Sequence, residues 1–240
     1  MWLGLLKSAW MLLLLAAMAC CQLAFANEDL RNDFQNWDLV TITLPVTPGK
    51  KVQWYAEAQP RVGNLQDRGT SGDFSQLILR TALGYRLTEK ISVWQGYGWT
   101  PIFEPQNLNE HRIYQQLSVN GKWKRLLVNN RSRLEQRWIE NTGGETSIRL
   151  RHMARGMYPL DQREQWFLVA YDEFFITLKG VPNGPATGFD QNRLFVGLHR
   201  KLKGGVNAEA GYLNQYINTQ DPVPNRMNHV LILTLNFELK

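Results

Sequence analysis

A closed, antiparallel up-and-down β-barrel that crosses a membrane is the all-β fold this sequence predicts, and three features predict it. Eleven segments rich in aromatic and β-branched residues follow one another, most of them about 10 to 14 residues long, with turn-formers between them. Their connectors alternate between tight and long. Within the segments, charged and apolar residues alternate with the period of two that gives a strand one polar and one apolar side.

The barrel is expected to begin after residue 26. Met1 to Ala26 carries one positive charge, Lys7, then the apolar stretch Ala9 to Met18, and ends on the small-x-small pattern Ala24-Phe25-Ala26. That is the layout of a secretory signal peptide for export through the Sec pathway. Its apolar run is shorter than the roughly 20 residues that cross a bilayer as a helix. A lipoprotein signal at Cys20 is the alternative, disfavoured because Ala17 stands where such signals carry leucine. Cleavage leaves residues 27–240 as a single outer-membrane barrel domain of a Gram-negative bacterium and removes Cys20 and Cys21, the two cysteines of the chain. Disulfides and cysteine nucleophiles are then excluded, and closure of a sheet has to stabilise the secreted domain.

In order, the segments are 36–44, 51–62, 74–87, 91–102, 110–119, 123–139, 147–158, 164–178, 191–202, 206–217 and 228–239. Tight connectors are Thr88-Glu89-Lys90, Asn120-Gly121-Lys122, Leu160-Asp161-Gln162-Arg163 and Lys203-Gly204-Gly205. Long ones run from Gly63 to Asp73, Phe103 to Asn109, Glu140 to Thr146, Gly180 to Asp190 and Asn218 to Met227. Short periplasmic turns opposite longer external loops produce this order, whereas a Greek-key sandwich mixes its connection lengths. After Ala26 no apolar stretch is long enough for a membrane helix. Bacterial single-chain barrels have an even strand count. Eleven segments therefore point to 10–12 strands, with twelve favoured and an extra strand sought in residues 27–35.

Sidedness is clearest where charge is dense. Arg125, Arg131, Arg133, Glu135 and Arg137 share one side of their segment, and Leu126, Val128, Leu134 and Trp138 the other. Arg149, Arg151 and Arg155 oppose Ile148, Leu150 and Ala154. The last segment sends Leu231, Leu233, Leu235, Phe237 and Leu239 one way and Thr234, Asn236 and Glu238 the other. In a soluble, lipocalin-like binder the apolar side lines the lumen. Two features turn it toward lipid instead. Trp37, Trp54, Trp94, Trp99, Trp123, Trp138, Trp166, Tyr85 and Tyr216 gather mostly near segment ends, as interfacial girdles require. The chain also closes on a Leu/Phe alternation of the kind barrel-assembly machinery reads, although Lys240 replaces the usual terminal aromatic.

The arginines then belong in the lumen. The formal net charge is +6, and 17 of the 27 basic residues are arginine. So mild an excess, without a lysine-rich patch, gives no support to nucleic-acid binding, while arginine's planar fork suits ion-pair networks in confined spaces. The candidate site is a lumenal charge network of Glu57, Arg131, Arg133, Glu135, Arg137, Arg149, Arg151, Glu173, Arg193 and Glu209. Arg149 and Arg151 on the next strand would pair across with Glu135, and Glu173 and Arg193 would extend the network, because stranded buried charge is costly. The plain structural reading is a plug that stiffens the barrel. The functional one is a cationic constriction that selects anions or grips an acidic lipid headgroup.

Asn130-Arg131-Ser132-Arg133-Leu134-Glu135-Gln136-Arg137, Arg149-Leu150-Arg151, Tyr171-Asp172-Glu173-Phe174-Phe175, Asp190-Gln191-Asn192-Arg193 and Glu209-Ala210-Gly211-Tyr212-Leu213-Asn214-Gln215, in this order, resemble the DUF2490 family from about Trp37 to Phe237. The resemblance implies an outer-membrane barrel of about this length, with no established activity and no catalytic residues to carry over.

Enzymatic readings are thinner. A lipid hydrolase needs a serine beside an activating base. His111, His152, His199 and His229 stand in no His-x-Ser arrangement, and there is no Gly-x-Ser-x-Gly elbow. His111 and His229 begin segments after long loops and are the candidates for a rim site if the protein modifies lipid. No His pair has metal-ligand spacing, Gly204-Gly205 is a hairpin turn rather than a phosphate loop, and no cofactor is implied. Expected partners are outer-membrane lipid, the barrel-assembly machinery and small anionic solutes or lipid headgroups. The expected role is structural, or that of a narrow pore.

Overall fold

The computed structural model describes residues 30–63, 72–104, 107–219 and 223–239; the leader expected over residues 1–26 lies outside them. Eleven strands follow in chain order: β1 Arg31–Pro45, β2 Val52–Gly63, β3 Asp73–Arg86, β4 Ile91–Ile102, β5 Leu108–Trp123, β6 Leu126–Ile139, β7 Thr146–Pro159, β8 Trp166–Lys179, β9 Gly188–Lys201, β10 Val206–Ile217 and β11 Arg226–Glu238. Each is flanked by its neighbours in sequence, and β1 meets β11 to close the barrel.

Eleven lies within the expected range but is not the even number that favours twelve. The reason is the closure. Strands β1 and β11 run parallel, with Arg31 beside Arg226 and Thr43 beside Glu238, whereas every other pair is antiparallel. Residues 31–35 form no strand of their own; they lengthen β1. Asp33, Gln35 and Trp37 continue one row, in which Gln35 Nε2 donates to Asp33 at 2.6 Å and Trp37 Nε1 to Gln35 at 2.8 Å. Polar residues thus start this strand, which is why an apolar pattern detects it late.

The tight connectors share one end of the barrel, here the turn end, and the long ones share the other, the loop end. Thr88 Oγ1 accepts the amides of Lys90 and Ile91 at 3.2 and 3.0 Å. The Asp161 carboxylate accepts those of Trp166 and Gln165 at 2.8 and 2.9 Å, and these bonds, Trp166's foremost, hold its carboxyl below the usual range. Gly204 and Gly205 adopt φ of 74° and 78°, and a side chain on Gly205 would strike the Glu238 carbonyl. One turn is displaced from its expected place. Strand β5 runs through Asn120-Gly121-Lys122 to Trp123, which pairs with Leu126, so the turn falls on Lys124-Arg125. The added pairing, with Asn129 Nδ2 donating to Asn120 at 2.8 Å, outweighs the Asn-Gly turn signal. Arg125 therefore sits in the turn, bonded to the Asp161 carbonyl, and not on the charged row.

The two sides are inverted relative to a soluble domain. Glu135 is 0% exposed and Arg133, Arg149 and Arg151 are each 4% exposed, whereas Leu231, Leu233 and Leu235 on the outer face are 53, 45 and 43% exposed. Part of the interior is nonetheless apolar: Trp37, Phe167, Val169, Phe195, Leu213, Val230 and Ile232 pack together inside. Trp37, Trp94 and Tyr216 depart from the girdle. Trp37 and Tyr216 are buried, and Trp94 lies across Gly84, where any side chain would collide with its ring. Gly96 leaves room for Tyr114 in the same way. Exposed aromatic residues do ring both ends, with Tyr85, Trp123, Tyr158 and Trp166 at the turn end and Phe34, Phe74 and Phe103 at the loop end.

Candidate functional site

Strand pairing alone sets out the charged interior. Residues two apart on β6 point inward, and its register on β7 places Glu135 beside Arg149 and Arg133 beside Arg151. Two like charges side by side are tolerable only if carboxylates lie between them. Glu135 supplies one: its Oε2 accepts from Nε and Nη2 of Arg149 at 3.0 and 2.7 Å, and its Oε1 from Nη1 of Arg151 at 2.8 Å. Glu173 on β8 supplies the other. Its Oε1 accepts from Arg151 Nη2 at 2.9 Å and Arg131 Nη2 at 2.8 Å, and its Oε2 lies 3.9 Å from Arg193.

Seven of the ten expected site residues thus form one connected cluster: Arg131, Arg133, Glu135, Arg149, Arg151, Glu173 and Arg193. The other three are inside but engage different partners. Arg137 bonds Glu110, which also holds Arg112. Glu57 pairs with Arg80 and accepts the Tyr55 hydroxyl proton. Glu209 binds Arg155 and lies 3.3 Å from His199 Nδ1. Sequence reasoning did not assign Arg61, Arg80, Glu110, Arg112 or Asp190 to the site, although Asp190 accepts from Arg149 at 2.9 Å. Parity is the signal that finds most of them: Glu110, Arg112 and Tyr114 alternate with His111 and Ile113 as inward against outward.

Compensation is incomplete. Arg133 gives Nε and Nη2 to a single oxygen of Gln116, at 2.9 and 2.6 Å, and stacks on Tyr114 with 4.1 Å to the ring centroid. Its Nη1 is 3.8 Å from Glu135, whose oxygens are already engaged, and makes no hydrogen bond. Arg61 lies 3.5 Å over the Trp37 ring and bonds Gln59, while its Nε is unmatched. Aromatic faces take up part of what carboxylates do not.

The network also divides the interior. Two cavities, of about 430 and 540 Å³, occupy the half nearer the turn end and share Thr43, Tyr55, Asn129, Arg131 and Arg133 in their walls. Neither reaches Glu110, Arg112, Arg137 or Arg149. Those residues are buried, as are Thr100, Gln191, Gln215 and Asn228 around them. Asn228 Nδ2 donates to Gln215 at 3.0 Å, and Gln215 donates to Gln191. Above this layer, buried Val181 and Thr142 bring together two of the long loops. The described interior is a cup, open at the turn end and filled toward the loop end.

Apart from His199, the histidines lie elsewhere. His111 and His229, the two rim candidates, bond outward-facing Tyr97 and Tyr212, each at 2.6 Å. His152 Nδ1 is 2.9 Å from Ser132 Oγ on the outer face, a pairing made across strands and so invisible to a His-x-Ser pattern. The nearby Asp172 carboxylate accepts from Asn192 at 2.6 Å. Among the described residues no carboxylate is bonded to His152, so the third group of a catalytic triad is not in place. A row of amide hydrogen bonds, Gln136 to Gln115 and Gln115 to Gln95, runs around the same face.

Comparison with known proteins gives the chain a family and brings no activity. A relative in Methylorubrum extorquens, described as an uncharacterized protein, is 33% identical over 218 residues, covering 88% of this chain and 90% of the relative. No solved structure matches the chain. The model of the family described as a protein of unknown function, DUF2490, matches residues 34–228, and the chain belongs to that family.

Proposed function

We propose that this protein is an outer-membrane β-barrel whose lumen is closed to through-flow and opens as a cup toward the periplasm. One observation carries the reading: the inversion of sides, with leucines outward and guanidinium groups inward around a closed sheet. Thirty-one large apolar side chains are exposed among the described residues. In water such a surface would invite aggregation, since soluble monomers rarely expose contiguous apolar patches beyond a few hundred Å². In hydrocarbon it is the expected surface. A soluble lipocalin-like binder would need the opposite arrangement. The short turns face the periplasm in this reading, export uses the Sec pathway, and insertion requires the barrel-assembly machinery. The partners at the outer face are membrane lipids, and those of the cup are small anionic solutes or headgroups.

A closed lumen separates this reading from a pore. Purified protein in planar bilayers is expected to show no single-channel steps in any monovalent salt, while migrating in a heat-modifiable way and pelleting with outer membranes. Discrete conductance steps would replace the closed barrel with a channel. A soluble periplasmic fraction would end the membrane reading.

A further inference from the structure

We propose that the floor of the cup binds an oxyanion headgroup carrying an apolar tail, such as a fatty carboxylate or an alkyl phosphate, with Arg133 as its anchor. The proposal rests on the closed-cup reading above, though not on where the barrel resides. Three observations support it.

First, Arg133 is 4% exposed, yet its Nη1 makes no hydrogen bond, and the residue lines both cavities. A buried guanidinium nitrogen without an acceptor is costly unless a ligand supplies one. Glu135 is not available for this, because Arg149 and Arg151 already engage both of its oxygens. Nor is Gln116 sufficient, since one amide oxygen serves the other two donor positions and brings no charge. Second, the larger cavity is lined by seven arginines and lysines against four glutamates, an excess of cations that a bound anion would balance. Arg193 Nε, on the same floor, is also unmatched. Third, apolar side chains share the lining with the charged ones. Leu39, Leu213 and Ile232 line the same cavity from β1, β10 and β11, and Met153 and Met157 line it from β7. A free inorganic ion would leave these side chains facing water, whereas an alkyl chain would cover them. The cavity's 540 Å³ falls within the roughly 300–1,000 Å³ usual for small-molecule sites.

The test is calorimetric titration of the full-length folded protein, held in an uncharged maltoside detergent, with octyl phosphate, inorganic phosphate and octanol. The expected result is one saturable site for octyl phosphate, at least tenfold weaker binding of inorganic phosphate, and no saturation with octanol. Arg133→Gln is expected to weaken octyl phosphate at least tenfold, while Arg200→Gln on the outer face leaves it unchanged. Arg131→Gln provides a second variant if Arg133→Gln does not fold, because Arg131 is partly exposed and makes a single ion pair. Equal affinity for both phosphates would remove the tail from the proposal. Wild-type affinity in the Arg133 or Arg131 variant, or no saturable binding by heat-modifiable protein, would overturn the site. Absence of binding together with silent bilayers would leave the closed barrel standing, which keeps the two failures apart.

Discussion

Replacing Glu135 with alanine is expected to destabilise the barrel by about 3–5 kcal/mol, the usual consequence of removing one partner from a buried ion pair. Its two oxygens hold Arg149 and Arg151, and Arg133 stands 3.8 Å away. Without it, three guanidinium groups on adjacent strands face one another, with Asp190 on Arg149 and Glu173 on Arg151 as the remaining anions. Glu135→Gln keeps the shape but loses the charge, so it is expected to fall between alanine and wild type. Glu89→Gln, in an exposed turn, is expected to stay within about 0.5 kcal/mol. Urea unfolding monitored by the heat-modifiable band checks all three. A wild-type midpoint for Glu135→Ala would show that the network is ornamental and that other groups hold these strands together.

The second large effect is on the opposite face. Leu233 lies midway along β11 and is 45% exposed. If this face contacts hydrocarbon, Leu233→Arg is expected to cost about 2–4 kcal/mol, as cations do at the bilayer midplane of such barrels. On a water-exposed face the same substitution would fall within about 0.5 kcal/mol. Folding equilibria in lipid vesicles decide between these values. Of its two cross-strand neighbours, Ala210 on β10 offers the arginine nothing and Asp38 on β1 offers one counter-charge. Leu231→Arg, without that neighbour, is the stricter companion.

How much of this was legible in sequence depended on local charge density. On β6 Arg131, Arg133, Glu135 and Arg137 stand two apart, as do Arg149 and Arg151 on β7, so period-two alternation located the inward row, and adjacency of the two strands placed Glu135 between Arg149 and Arg151. On β11 the pattern was ambiguous. Leu231, Leu233 and Leu235 mark the outer face, but Val230 and Ile232 on the inner face are equally apolar, because the lumen there packs against Trp37 and Phe195. Strand count escaped for a topological reason: even numbers follow when both ends of a barrel pair antiparallel, and no local pattern announces a parallel seam. Arg133's unmatched nitrogen was out of reach too. It depends on Gln116 and Tyr114, supplied by β5 at a register that the displaced turn at Lys124-Arg125 determines.

The central claim is the inversion of sides, and spin-label accessibility tests it most directly. With Cys20 and Cys21 replaced by serine, labels are placed singly at Val196, Leu198, Leu231 and Leu233 outside and at Thr234 and Asn236 inside, and the protein is reconstituted into bilayers. Outer labels are expected to be relaxed by dissolved oxygen and shielded from a water-soluble nickel complex, with the inner ones reversed. Nickel reaching the leucine positions while Thr234 and Asn236 sit in an apolar, oxygen-rich environment would contradict it.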